Sequence, residues 1–298
     1  IKGILKPWDH VITSSMEHNS VTRPLAKLTQ QGVEVTKLPG NSYGWLDPKE
    51  VAEGIKENTK LIVLSHASNV TGLIQPIEEI GKLARQKGIL FMVDSAQTAG
   101  SFEIDVDNMN IDLLVFAGHK GLLGPQGTGG LYIRPDLQLD TLKEGGTGSN
   151  SESPLQPEES PERYESGTLN TPGLAGLGKG VEYILEVGLE KIREKEKKLT
   201  LELMKGIMEI PGTKIYGLGL KVERAPVVSF NIEGKEPSQL AYLLDQVYEI
   251  ASRPGLHCAP DAHRILGTFP YGALRLSPSY FNTSQEIEKC LVAISELV

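Results

Sequence analysis

Short apolar runs alternate along the chain with stretches of helical spacing. His10-Val-Ile-Thr13 is apolar and strand-length, Ser20 to Gln31 can be helical, and Gly32-Val-Glu-Val-Thr-Lys-Leu38 alternates as a strand does. Asp47 and Pro48 open a short helix to Ile55 as N-cap and first-turn residue. Lys60 to His66 reads as a buried strand. Pro76 to Lys87 carries apolar positions at Ile77, Ile80, Leu83 and Ala84 and stops at Gly88, so it reads as a helix. Ile89 to Val93, Ile111 to Phe116 and Leu131 to Ile133 complete the strands of this half. Such alternation predicts an α/β fold with a mostly parallel sheet covered by helices on both faces.

Downstream of residue 144 the pattern changes. Residues 144–173 are rich in Gly, Ser and Pro, and a loop of this length is either a linker or functional. Lys179 to Ile210 reads as one long helix, with the charged run Glu190 to Lys198 on its solvated side. Val227 to Ile232 and Gly272 to Ser277 read as strands, Pro237 to Ser252 as a helix, and Ser284 as the cap of the last helix. The expected division is a large domain over 1–175 and a smaller α+β domain over 176–298, the latter holding Cys258 and Arg275.

Composition narrows the function classes. At 298 residues, 39% hydrophobic and 23% charged, the chain has the balance of an ordinary globular protein. A net charge of −8 argues against nucleic acid or an anionic membrane surface as partner. No apolar run approaches the ~20 residues of a membrane-spanning helix. Two cysteines, Cys258 and Cys290, do not make a disulfide framework, so a reducing, cytoplasmic setting is expected. The chain opens without a signal peptide and in mid-pattern at Ile1, which predicts that an N-terminal part is missing.

The candidate chemistry gathers where strands end. In open parallel sheets, ligands collect in the crevice beyond the carboxyl ends of the strands. Four ends carry polar groups there: His18; Asn69; Asp94 with Gln97; and His119 with Lys120. Lys120 follows a strand and precedes a glycine-rich stretch, so it is either an exposed turn lysine or an amine placed for chemistry. The glycines do not spell a nucleotide P-loop. His257, Cys258 and His263 lie close in sequence, but no further zinc ligands are evident. A Schiff-base lysine for pyridoxal phosphate needs a carboxylate for the pyridinium nitrogen, and Asp94 precedes Lys120 by one strand.

The segments Glu17-His-Asn-Ser20, Ser68-Asn69, Val93-Asp-Ser-Ala-Gln97, Gly118-His-Lys120, Glu165-Ser-Gly-Thr168, Arg253-Pro-Gly-Leu-His-Cys-Ala-Pro260 and Arg275 occur in one order. In that order they resemble the cysteine desulfurase and selenocysteine lyase group of the class V aminotransferases. The resemblance runs from end to end. It implies a pyridoxal-phosphate-dependent transferase fold, its large domain built on a seven-stranded-type sheet.

For the site, the resemblance implies that Lys120 attaches the cofactor as a Schiff base and moves the substrate Cα proton. It further implies that Asp94 faces the ring nitrogen, His18 stacks on the ring, and Gln97 and Asn69 lie near the ring hydroxyl. His119 would touch the phosphate, and Thr168 would reach the phosphate of the other subunit of a homodimer. Arg275, with Arg253 nearby, would bind the substrate carboxylate. Cys258 would take the sulfur of L-cysteine, leaving L-alanine and a persulfide for a sulfur-acceptor protein, its thiol favoured by neighbouring Arg253 and His257. The plain alternative for Cys258 is a small buried residue.

Two departures from the family follow. Ala117 stands where many relatives have a phosphate-binding hydroxyl, and the family's N-terminal phosphate-holding turn has no counterpart, so a fragment or degenerate relative with weak or absent cofactor binding is expected. The rival functions are a selenocysteine, cysteine-sulfinate or cystine lyase, another class V aminotransferase, or a non-catalytic dimeric scaffold.

Overall fold

The computed structural model describes residues 1–217 and 219–298. Six strands form the first sheet: β1 (His10–Ser14), β2 (Glu34–Leu38), β3 (Thr59–Ser65), β4 (Leu90–Asp94), β5 (Leu113–Ala117) and β6 (Gly129–Ile133). Their order is β2-β1-β3-β4-β5-β6, parallel throughout except for β6, which runs antiparallel to β5. The sheet thus has six strands among the described residues, one fewer than the seven-stranded type. Each strand-length apolar run between residues 10 and 133 is already used in it.

The strand pleat sorts the core into two layers. Ile12, Ile62, Leu64, Phe91 and Val93 face one side, under helices α2 (Pro48–Glu53) and α3 (Ile77–Lys87). Val11, Leu61, Val63, Met92 and Leu113 face the other, under α1 (Asn19–Thr29) through Val21, Leu25 and Leu28. Near-continuous apolar strands are what a sheet buried on both faces requires. With the layers fixed, the polar residues just past the strand ends are left at one edge.

The predicted long helix is two. α4 (Thr171–Val187) and α5 (Leu189–Glu209) meet at Gly188, whose φ of 90° a helix interior cannot hold. The long loop accordingly closes at residue 170. A second sheet follows, β7 (Thr213–Tyr216), β8 (Val228–Ile232) and β9 (Leu274–Leu276), antiparallel in that order. It packs with α5, α6 (Pro237–Tyr248) and α8 (Ser284–Glu296) around Phe230, Leu203, Leu240, Leu274 and Ile294. α6 stops four residues early because Glu249 adopts a left-handed conformation. α7 (Pro260–Ile265), a short helix absent from the sequence reading, follows Cys258.

The cap of the last helix is Thr283, not Ser284. Thr283 accepts from the Glu286 N–H while Glu286 accepts from the Thr283 N–H, a full capping box. Serine and threonine side by side cannot be ranked as caps from sequence. No helix among the described residues is long and apolar enough to cross a membrane.

The two halves are joined at the loop after β3. Gly72 turns there with φ 71°, and its carbonyl accepts from Ala225 N–H at 2.8 Å. A Cβ at Gly72 would meet the Ala225 carbonyl at 2.6 Å, so only glycine allows this approach. The Ser229 hydroxyl donates to the Val70 carbonyl beside it. This junction brings residues 253–275 against the strand ends of the large sheet.

Candidate active site

A cavity of about 460 Å3 lies beyond the ends of β1, β3, β4 and β5. Of the expected site residues, His18, Asn69, Asp94, Gln97, His119, Lys120, Arg253 and Arg275 line it. Cys258 and Thr168 do not. Ser20, Ser65, Phe116, Ala117 and His257 also form its wall, and of these Ser20, Ser65 and Phe116 were not singled out as binding groups from sequence. Ser20 and Ser65 adjoin named motifs, which is the signal that could have found them.

Asp94 ends β4 and is buried. Its Oδ1 accepts from the Ala96 N–H at 2.9 Å and its Oδ2 from the Ser20 hydroxyl at 3.4 Å. Neither donor is a cation, so the carboxylate offers negative charge to the cavity. Behind it Glu17 is fully buried, accepting from Ser65 N–H (3.0 Å), Ser65 Oγ (2.7 Å) and Ser14 Oγ (2.5 Å). Burial pushes the Glu17 carboxyl up to about 7 against the lowering effect of those bonds, and the nearby Asp94 charge adds to the rise.

Lys120 follows β5 at the cavity. The residue as a whole is exposed, yet desolvation by the wall holds its amine below the ordinary lysine range; Asp94 opposes this, and Arg275 and Arg253 add to it. A lowered amine is a better nucleophile and base near neutral pH. His18 is the N-cap of α1. Its Nδ1 accepts from the Ser20 N–H at 3.1 Å, and burial and then Lys120 lower its pKa.

Asn69 is buried, and its amide nitrogen donates to the His257 carbonyl at 2.7 Å. That bond fixes the amide orientation, because a carbonyl only accepts. Its side-chain oxygen is therefore the end left for a ligand. The Asn69 backbone carbonyl accepts from Arg275 Nη1 at 2.8 Å. Arg275 Nε is buried and has no partner among the described residues. Burial and then the neighbouring Arg253 lower Arg275 to about 10, so it stays cationic near neutral pH. A half-buried guanidinium with an unmet donor suits a carboxylate ligand.

Arg253 and Arg275 sit on facing strands, each donating its N–H to the other's carbonyl, at 3.0 and 2.9 Å. The Arg253 guanidinium stands 3.6 Å from the Cys258 sulfur. Cys258 is half-buried, whereas Cys290 is buried in the second core, where burial pushes its thiol up to about 11. The expected help from His257 does not hold: burial lowers it to about 3, so it is neutral. Its ring nitrogens are bonded to the Arg253 carbonyl and to His263, which also leaves the pair committed to hydrogen bonds rather than to a metal. Among the described residues no group of three or more His, Cys, Asp or Glu is arranged to hold a metal ion. Thr168 lies exposed in the long loop.

A parallel sheet with a lysine at one strand end, a carboxylate at the next and arginines opposite defines an enzyme of the aminotransferase type. The chain belongs to the class-V aminotransferase family, whose sequence model matches residues 1–290. Enzymes of this family depend on pyridoxal phosphate.

Four similar proteins share one activity in their names. The chain is 36% identical over 285 residues to a probable cysteine desulfurase of Methanothermobacter thermautotrophicus, covering 94% of this chain and 71% of that one. It is 36% identical over 302 residues to the cysteine desulfurase IscS of Methanosarcina thermophila, covering 97% and 70%. Among solved structures, the apo cysteine desulfurase of Thermococcus onnurineus superposes with a TM-score of 0.86 at 36% identity, covering 99% of this chain and 74% of that one. The Escherichia coli cysteine desulfurase CsdA superposes with a TM-score of 0.90 at 29% identity, covering 98% and 72%.

The residues present fit pyridoxal phosphate. An anionic Asp94 without a bonded cation matches a protonated ring nitrogen, a lowered lysine amine matches an aldehyde, and the unmet Arg275 donor matches an amino-acid carboxylate. Ala117, also in the wall, supplies no hydroxyl.

Proposed function

We propose that the protein is a pyridoxal-phosphate-dependent cysteine desulfurase, taking sulfur from L-cysteine to give L-alanine and a persulfide on Cys258. The observation that carries this is the Arg253–Cys258 contact, which sets a cation beside a half-buried thiol at the margin of the Lys120 cavity. The contact gives the Cys258 sulfur a cationic neighbour, which the buried Cys290 sulfur is not shown to have.

Bound pyridoxal phosphate supplies an electron sink that stabilises charge at the substrate Cα. Asp94 keeps the ring nitrogen protonated by holding an anion against it. Lys120 accepts and returns the Cα proton, for which its lowered amine suits it. Arg275, with Arg253 beside it, binds the substrate carboxylate and orients the molecule. His18, Gln97 and the side-chain oxygen of Asn69 hold the ring, and His119 serves its phosphate. The Cys258 thiolate forms a bond to the substrate sulfur as the carbon–sulfur bond breaks, and a proton replaces sulfur on the carbon. Cysteine and a thiol become alanine and a persulfide, so atoms and electrons balance.

The reading also includes a homodimer in which the exposed Thr168 loop completes the partner's phosphate site. It further includes a sulfur-acceptor protein, a cytoplasmic setting, and a division near residue 175. The lyase alternatives give Cys258 no task, and its guanidinium neighbour argues against them. Alanine formation from cysteine with pyridoxal phosphate supplied is the test. It is expected in the wild type and lost in Cys258→Ala; alanine formation at the wild-type rate in that variant would favour a lyase.

A further inference from the structure

Cys258 and His257 share an unusual backbone. Both are non-glycine residues at positive φ, 57° and 50°. Such conformations are costly for residues with a Cβ and persist only where surrounding contacts hold them. Two contacts act on this turn from the large-sheet side: the Asn69 side chain donates to the His257 carbonyl, and the Asn19 N–H donates to the Cys258 carbonyl at 2.7 Å. A third hold comes from behind, through residues that the proposed chemistry does not use.

His257 and His263 are both buried, with ring centroids 5.2 Å apart. His257 Nε2 lies 2.9 Å from the Arg253 carbonyl, which can only accept, so this nitrogen carries the proton. In a neutral ring His257 Nδ1 is then an acceptor, and the donor to it at 3.2 Å must be His263 Nε2. That leaves His263 Nδ1 as an acceptor, 2.7 Å from the Thr268 hydroxyl. The chain of donors runs one way: Thr268 to His263, His263 to His257, His257 to the Arg253 carbonyl. Reversing any member sets two acceptors or two donors face to face in a buried place.

We propose that His263 and Thr268, which lie outside the cavity wall, are positioning residues whose one-way hydrogen-bond relay holds the His257–Cys258 turn and thereby presents the Cys258 thiol beside Arg253. The inference rests on Cys258 as the sulfur-accepting nucleophile, but its test does not require turnover. α7 carries His263 and follows the turn directly, and its Ala262 packs with Ala259, Met16 and Val70 in a small cluster distinct from the two main cores.

The experiment compares Thr268→Ser with Thr268→Val in the full chain. Serine keeps the hydroxyl and loses a methyl group; valine keeps the volume and loses the hydroxyl. The first readout is the rate of Cys258 alkylation by iodoacetamide as a function of pH. The second is the ring-nitrogen spectrum of protein labelled with 15N-histidine. The relay predicts wild-type reactivity for Thr268→Ser. For Thr268→Val it predicts an alkylation rate and pH midpoint displaced from wild type, by about tenfold in rate at fixed pH if the relay carries the energy of a single buried hydrogen bond. It also predicts a changed tautomer signal at His257 and His263. Equal reactivity in both variants, or damage confined to Thr268→Ser, would overturn it, the latter pointing to packing alone. If Thr268→Val does not fold, the nitrogen spectrum of the wild type still decides: protonated Nδ1 on either ring contradicts the relay. Loss of alanine formation in Cys258→Ala tests the underlying reading separately.

Discussion

The Asn69 side chain donates to the His257 carbonyl at 2.7 Å across 188 residues of sequence. This one bond ties the loop after β3 in the large sheet to the turn that carries Cys258. Asn69→Ala leaves a buried carbonyl without its donor, at a cost of about 1–3 kcal/mol. The expected outcome is a lower unfolding free energy by denaturant titration together with slower alanine formation. Full stability and activity in this variant would separate the two elements energetically.

Glu17 gives a pH signature of known sign. Its folded-state value of about 7 lies above the ordinary 4.5, so between those limits the folded protein binds more protons than the unfolded chain. Its contribution to stability is therefore present below about 4.5 and is lost as pH rises through about 7. Glu17→Gln removes the ionisation, and its stability from pH 5 to 8 should vary less than that of the wild type. Chemical denaturation at several pH values measures the difference; parallel profiles would place the Glu17 titration elsewhere.

Arg275 keeps guanidinium donors, Nε among them, without a bond among the described residues. Arg275→Lys keeps the charge but cannot present two parallel N–H groups to a carboxylate. KM for cysteine should rise by about tenfold or more, with a smaller change in kcat. Steady-state kinetics over a wide cysteine range separates these two parameters.

Ala117 lines the cavity without a hydroxyl. Ala117→Ser adds a hydroxyl at the wall and should tighten pyridoxal phosphate binding by about fivefold, the worth of one added hydrogen bond. The visible absorbance band of the lysine-bound cofactor reports the titration. Lys120→Ala should show no such band at any cofactor concentration.

Much of the site was legible because its residues follow strands. His18, Asn69, Asp94 and Lys120 each come directly after an apolar run, and a parallel sheet brings such ends together. The division of 179–210 into two helices was not legible, since Gly188 is also tolerated in a helix at modest cost. Nor could spacing reveal that Cys258 stands outside the cavity wall, or that the His257 ring is bonded to the Arg253 carbonyl and His263 and remains neutral. The first depends on a turn with positive φ at residues 257 and 258 that Asn69 and Asn19 hold from the other half of the chain, and the second on burial. Glu17 was visible only as part of a motif; its burial behind Asp94 is a property of tertiary packing.

The most direct measurement is the mass of the Cys258 peptide after a single turnover with L-cysteine and pyridoxal phosphate, taken before any reductant is added. The structure predicts a gain of one sulfur atom on Cys258, in step with one equivalent of alanine, and neither in Lys120→Ala. Alanine formed while the Cys258 peptide stays unmodified, with the sulfur released directly to solution, would contradict the account.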